Sequence, residues 1–178
     1  MIEVFVESIR VNMANYKRVV MLKEKTSSRY LPIWIGHFEA DAIAIPMQKV
    51  PVSRPLTHDL LRSAIEALGA RLERVVINDL AEETFFAKLI LDQGGNTLEV
   101  DARPSDAIAL AIRAEVPIFV EDKVIESAGM VFEGEEDAEG KTKEEDSSPI
   151  DEEKLSVFRQ FINTLNTEDP EKGGESKS

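Results

Sequence analysis

The sequence predicts an α+β fold in which a β-β-β-α unit is written twice, its strands forming a mixed or antiparallel sheet packed by helices. Three observations predict it. Segments with two-residue alternation come in threes, each set leads into a stretch of helical period, and the string DAIA recurs at Asp41 and Asp106, 65 residues apart. An apolar content of 43% is enough to build the core such a fold requires.

The first strand is marked by Ile2, Val4 and Val6 alternating with acids, with a change of phase by Ile9 and Val11 that predicts a bulge or bend. "RVVMLKEK" is the second strand, and the serines before "RYLPIWIG" mark a turn into the third, where Leu31, Ile33 and Ile35 share a face. After Gly36 the period lengthens to that of a helix through "EADAIAI", which Pro46 interrupts. A second helix begins near Thr57, the expected N-cap, with Leu56 and Leu61 spaced as a hydrophobic staple and Gly69 as its stop. Leu60, Leu61, Ala64, Ile65 and Leu68 are expected to bury as its apolar stripe.

Strands resume with "RLERVVIND", "TFFAKLIL" and "NTLEVDA", the last two joined by the hairpin signal "DQGGN". A helix is expected from about Ser105 to Glu115, longer and straighter than the first because Ala111 stands where the first has Pro46. "PIFV" and "KVIES" are read as a short closing hairpin. At an offset of 65, Ile33 and Ile35 fall on Leu98 and Val100, and Asp41 falls on Asp106. Asp41 and Asp106 are therefore expected in equivalent surroundings in the first turns of their helices, where unpaired N–H groups and the macrodipole favour an acid.

The predicted body covers residues 1–132. An acidic linker (133–150), an amphipathic helix (151–166) and a disordered tail (167–178) follow it. Ser148, Pro149 and Asp151 form the start signal of that helix, and Leu155, Phe158, Ile162 and Leu165 its apolar face. The net charge of −13 is uneven, because residues 133–178 carry 15 acids against 6 bases, leaving the body mildly negative and without a cluster of cations. A sequence-tolerant phosphate-tracking stripe is thus not visible. No apolar run approaches the length of about 20 residues that spans a bilayer, no signal peptide is visible, and a cytoplasmic protein is expected. The absence of Cys excludes disulfides and thiolate sites, and two His exclude a three-His zinc site. No P-loop, dinucleotide fingerprint, HExxH or nucleophile elbow is present.

Polar residues gather at three predicted helix starts: Asp101, Arg103 and Asp106; Arg54, His58 and Asp59; and His37, Glu39 and Asp41. Arg suits bidentate phosphate recognition, and His suits proton transfer near neutral pH. The same residues also suit plain capping and bracing of helix ends.

"LPIWIG…EADAIAI", "RPLTHDLL" and "DARPSDAIALAIR", in this order, resemble the bifunctional nuclease family over about residues 1–130. The resemblance implies degradation of RNA and DNA by a duplicated α+β unit that assembles into homo-oligomers, a dimer being the simplest. Its motif positions here are Gly36, Glu39, Arg54, Pro55, Thr57, His58, Asp59, Asp101, Arg103, Pro104, Ser105 and Asp106. On this basis Asp101, Arg103, Asp106, His58 and Asp59 are the candidate catalytic residues, and Arg54, Glu39 and Ser105 the candidate binding residues. Asp101 and Asp106 are the candidate ligands for Mg²⁺ or Mn²⁺, with Glu39 or Asp59 beside them, and no organic cofactor is expected. Some relatives carry a C-terminal UVR-type motif, whose place the acidic linker and helix take here. The alternative reading is a non-catalytic, homo-oligomeric binding or regulatory module in which these residues cap helices and brace a subunit interface.

Overall fold

The computed structural model describes residues 1–12 and 16–131. Within them Met1–Arg10 and the chain from Lys17 onward belong to one compact unit. The linker, C-terminal helix and tail expected after residue 132 lie outside the described residues. The elements run β1 (Ile2–Val11), β2 (Arg18–Glu24), β3 (Arg29–Ile35), α1 (His37–Met47), α2 (Thr57–Ala67), β4 (Arg71–Ala81), β5 (Thr84–Gln93), β6 (Asn96–Ala102), α3 (Pro104–Ala114), β7 (Ile118–Val120), α4 (Asp122–Ala128) and β8 (Met130–Val131). No helix among them is long and apolar enough to cross a membrane.

The strands make one eight-stranded mixed sheet in the order β6-β5-β4-β7-β1-β2-β3-β8. β7 pairs parallel with β4 and antiparallel with β1, so β1 and β4 run in opposite directions. The order on either side of β7 is therefore that of two copies of a β-β-β-α unit related by an approximate dyad through the sheet. The hairpins β2–β3 and β5–β6 are antiparallel, the latter turning on Gly94 and Gly95, both at positive φ, as a two-residue loop demands. α1 and α3 pack against each other, and α2 packs on α3. Val20, Leu22, Leu31 and Ile43 of one copy meet Val75, Ile77, Leu89 and Leu110 of the other in one continuous core.

The duplication is real in element order, but its register differs from the expected 65. The N-caps Gly36 and Arg103 are 67 residues apart, as are the starts of β3 and β6. Leu31, Ile33 and Ile35 thus correspond to Leu98, Val100 and Ala102, and the first-turn acid matching Asp106 is Glu39. Asp41 lies a turn into its helix, exposed and 3.8 Å from His37 Nδ1, while Asp106 sits in a polar cluster. The expected equivalence of Asp41 and Asp106 is overturned: the shared string DAIA is two residues out of structural phase.

Other local expectations are corrected by neighbouring chemistry. α1 and α3 have the same length of 11 residues, because Pro46 stands next to the end of α1 and so removes one hydrogen bond, to Ala42, without cutting the helix short. The N-cap of α2 is Leu56, not Thr57, since the carboxylate of Asp59 reaches back to accept from the Leu56 N–H at 2.8 Å. Gly69 does stop α2: it sits at positive φ and donates to Glu66, while Ala70 donates to Ile65. The leucine stripe of α2 is not buried, for Leu60 and Leu68 are 63% and 76% exposed. "KVIES" is no strand. It forms α4, whose Val124 and Ile125 enter the core, and β7 pairs instead between the two halves.

Candidate functional site

The site is built where three helix starts meet. β6 delivers the chain to Arg103, the N-cap of α3, and Pro104 at the first helical position sets the turn where its missing N–H would have had no helical partner. Asp106 follows in the first turn, and Arg103 folds over it: Nε donates to Oδ2 at 2.7 Å and Nη2 to Oδ1 at 3.2 Å. The remaining terminal nitrogen, Nη1, donates to Glu39 of α1 at 3.0 Å. From α2, His58 places Nε2 3.2 Å from Asp106 Oδ1. Glu39, Arg103, Asp106 and His58 therefore form one chain of polar contacts drawn from both copies of the unit.

Burial sets the character of each member. Arg103 is 65% exposed while His58 is only 13% exposed, so the cation faces solvent and the imidazole is walled in. Burial alone would push the Asp106 carboxyl up. Hydrogen bonds from Arg103 and His58, reinforced by their charge, outweigh it and hold the group below the ordinary aspartate range. The same carboxylate raises the Arg103 guanidinium further above its already high value.

A second network lies behind the first. Arg113, in the last turn of α3, is 5% exposed and donates from Nε to Asp59 Oδ1 at 2.6 Å. Its Nη1 donates to the carbonyls of Ala42 and Ala109 at 2.7 and 2.8 Å. These two carbonyls correspond across the dyad, and so do Pro46 and Arg113. Pro46 has no N–H to offer Ala42 four residues earlier, and the guanidinium of the sister helix takes that carbonyl. Asp59 is thereby held from both sides, by Arg113 and by the Leu56 N–H, and these bonds overcome its burial to lower its pKa.

The structure thus brings together Glu39, His58, Arg103 and Asp106. Asp59 is drawn away to Arg113. Ser105 is buried in the first turn of α3, and Arg54 is exposed in the loop before α2. Asp101 lies opposite Lys88 on the sheet face that Glu99 shares, away from Ala102, which packs on the core. The expected pairing of Asp101 with Asp106 as metal ligands is not assembled, because strand alternation turns the two side chains apart. Among the described residues no three His, Asp or Glu side chains are grouped to hold a metal ion. Arg113 escaped sequence reasoning, although one cation inside the apolar run "AIALAIRA" was the available signal.

Gly36 has a specific steric duty. A Cβ there would collide with the carboxylate of Glu39, the far end of a flexible side chain. Gly36→Ala is expected to leave folding stability within about 1 kcal/mol of wild type, since its φ of −72° suits any residue. It should nevertheless detach Glu39 from Arg103, seen as a shift of the Arg103 Nε resonance; an unmoved resonance would refute this steric role.

Both networks predict a dependence on acid. Asp59 and Asp106 have lowered folded pKa values, so their stabilisation is fully present above the unfolded value of about 3.9. It is lost as pH falls through the lower folded values. Melting temperature should fall below about pH 4, and less steeply in the Asp59→Asn/Arg113→Met double variant. Superimposable pH profiles would dismiss Asp59 as a contributor.

Comparison with known proteins agrees with the family resemblance. Residues 20–133 match the model of the bifunctional nuclease domain. An uncharacterized protein of Mycobacterium tuberculosis is 44% identical over 167 residues, 94% of this chain and 96% of its own length. Bifunctional nuclease 1 of Arabidopsis thaliana is 29% identical over 120 residues, 66% of this chain and 37% of that protein. Bifunctional nuclease 2 of Oryza sativa subsp. japonica is 30% identical over 115 residues, 63% of this chain and 35% of that protein. With its duplicated sheet, its cluster at the helix starts and these matches, the chain belongs to the bifunctional nuclease domain family.

Proposed function

We propose that the protein hydrolyses phosphodiester bonds in RNA, DNA or both, with His58 and Asp106 as its acid–base pair and Arg103 as its phosphate clamp. One observation carries the reading: four residues of the family's motifs, scattered between positions 39 and 106, converge in one contact chain. Three of the five N–H donors of Arg103 are used within the protein, so two remain for the oxygens of a phosphate. Asp106 orients the imidazole through Nε2 and stabilises its protonated form, in the manner of any carboxylate–histidine pair. Nδ1 is then the nitrogen that takes a proton from the attacking water. As the new P–O bond forms and the old one breaks, that proton passes to the leaving oxygen.

As they stand, Glu39 and Asp106 are neutralised by Arg103 and do not form a cation site. Mg²⁺ or Mn²⁺ is proposed only as an accessory that screens the substrate, and no step above runs through it. The test is release of nucleotides from labelled single-stranded RNA and DNA by the full chain, with and without chelator. Asp106→Ala must abolish release; equal rates would assign the activity to a contaminant.

A second reading, a non-catalytic oligomeric module, draws support from the outward leucines of α2. Leu60 and Leu68 supply apolar surface of the kind that subunit contacts cover, and a homo-oligomer is proposed under either reading. A cytoplasmic location is proposed with it, since a chain without Cys is indifferent to reducing conditions.

A further inference from the structure

The most exposed aromatic of the described residues is next in sequence to a member of the proposed site. Phe38 is 82% exposed, more than any other large apolar side chain described. It occupies the first turn of α1, between His37 and Glu39, and Glu39 accepts from Arg103. The ring is not splayed at random, for it stacks on the His37 imidazole with centroids 5.6 Å apart and planes 27° from parallel. One face of a two-ring stack thus adjoins, in sequence, Glu39, whose carboxylate accepts from the phosphate clamp Arg103.

Charge makes such a platform necessary. The body is net negative and lacks a basic stripe, so long-range attraction to a phosphate chain is weak. Affinity must then come from contacts that are indifferent to charge, and base–aromatic stacking is the chief one available to nucleic acids. Only an unpaired base can offer its face, because bases within a duplex are stacked on their neighbours.

Resting on the nuclease reading, we infer that Phe38, backed by His37, is the stacking platform for an unpaired base next to the scissile phosphate. It makes the protein selective for single-stranded or looped nucleic acid. Phe38 is a specificity-determining residue, and its loss leaves the fold intact because the side chain is 82% exposed.

The experiment is fluorescence-anisotropy binding of the full chain to a short single strand, the same strand carrying an abasic gap, and the corresponding duplex. Wild type is expected to prefer the single strand, and Phe38→Ala to weaken that binding about ten-fold. Phe38→Trp should restore it, and binding of the abasic strand should ignore both changes. Equal affinity of wild type and Phe38→Ala for the single strand, or no binding by wild type, overturns the inference. So does a change in sedimentation mass with Phe38→Ala, which would make the ring a subunit contact. Binding needs no turnover, so stacking without cleavage would sink the nuclease reading alone. Cleavage unaffected by Phe38→Ala would sink the platform alone.

Discussion

Replacement of Asp106 by Ala should lower phosphodiester cleavage by about 10³-fold or more, with little loss of folded protein. The expectation follows from two roles held by one carboxylate. It fixes the imidazole of His58 at 3.2 Å and anchors the Arg103 guanidinium through two hydrogen bonds. Acid–base catalysis by a positioned side chain is worth about 10²–10⁴ in rate, and removal of an orienting aspartate costs about 10⁴ in a related arrangement. Stability suffers less, because the partly exposed Arg103 can return to water when released. Single-turnover rates for wild type, Asp106→Ala and His58→Ala check the assignment. If the two variants act through one unit, the double variant will be no slower than the slower single. Rates that multiply would separate the two residues mechanistically.

Arg113→Ala is expected to be the most destabilising polar substitution, at about 3 kcal/mol, because it strands a partly buried carboxylate. For a chain of this size that corresponds to roughly 6–12 °C in Tm. The same change removes both hydrogen bonds to the carbonyls of Ala42 and Ala109. Arg113→Lys should recover only part of the loss, since an ammonium lacks the planar fork that reaches α1, α2 and α3 at once. Asp59→Asn combined with Arg113→Met should recover more, as no uncompensated charge is left. Calorimetry on the four proteins decides. A double variant less stable than Arg113→Ala would mean that the carbonyl bonds, not the stranded charge, dominate.

Much of this architecture was legible in the residues because strand and helix periods are local. The hairpin at Gly94 and Gly95 and the helix beginning at Pro104 both announce themselves by chemistry confined to a few positions. The register of the duplication was not legible from the string DAIA, because identity of letters is weaker than the packing of Leu31 and Ile33 that sets strand phase. α4 was misjudged since seven residues are too few for a helical period to outweigh a β-rich composition. In α2 the amphipathic stripe was correctly seen, but periodicity cannot say whether its own core or something else covers it. Glu39, His58, Arg103 and Asp106 were legible as polar residues at three separate helix starts, but no local rule could have joined residues 64 apart, as Arg103 and Glu39 are. Arg113 was hidden because its partners Asp59 and Ala42 lie on other helices, 54 and 71 residues away.

The exchange between Pro46 and Arg113 bears on how the two copies came to depend on each other. At matching places one repeat has surrendered a donor and the other has acquired a surplus. Likewise Gly36 supplies vacant room where its counterpart Arg103 supplies the cation. Each copy has drifted into a deficiency that only its sibling remedies, so separated halves would be incomplete and a pair of identical halves would clash or starve. Such complementary decay works as a ratchet, binding what began as interchangeable modules into an indivisible whole.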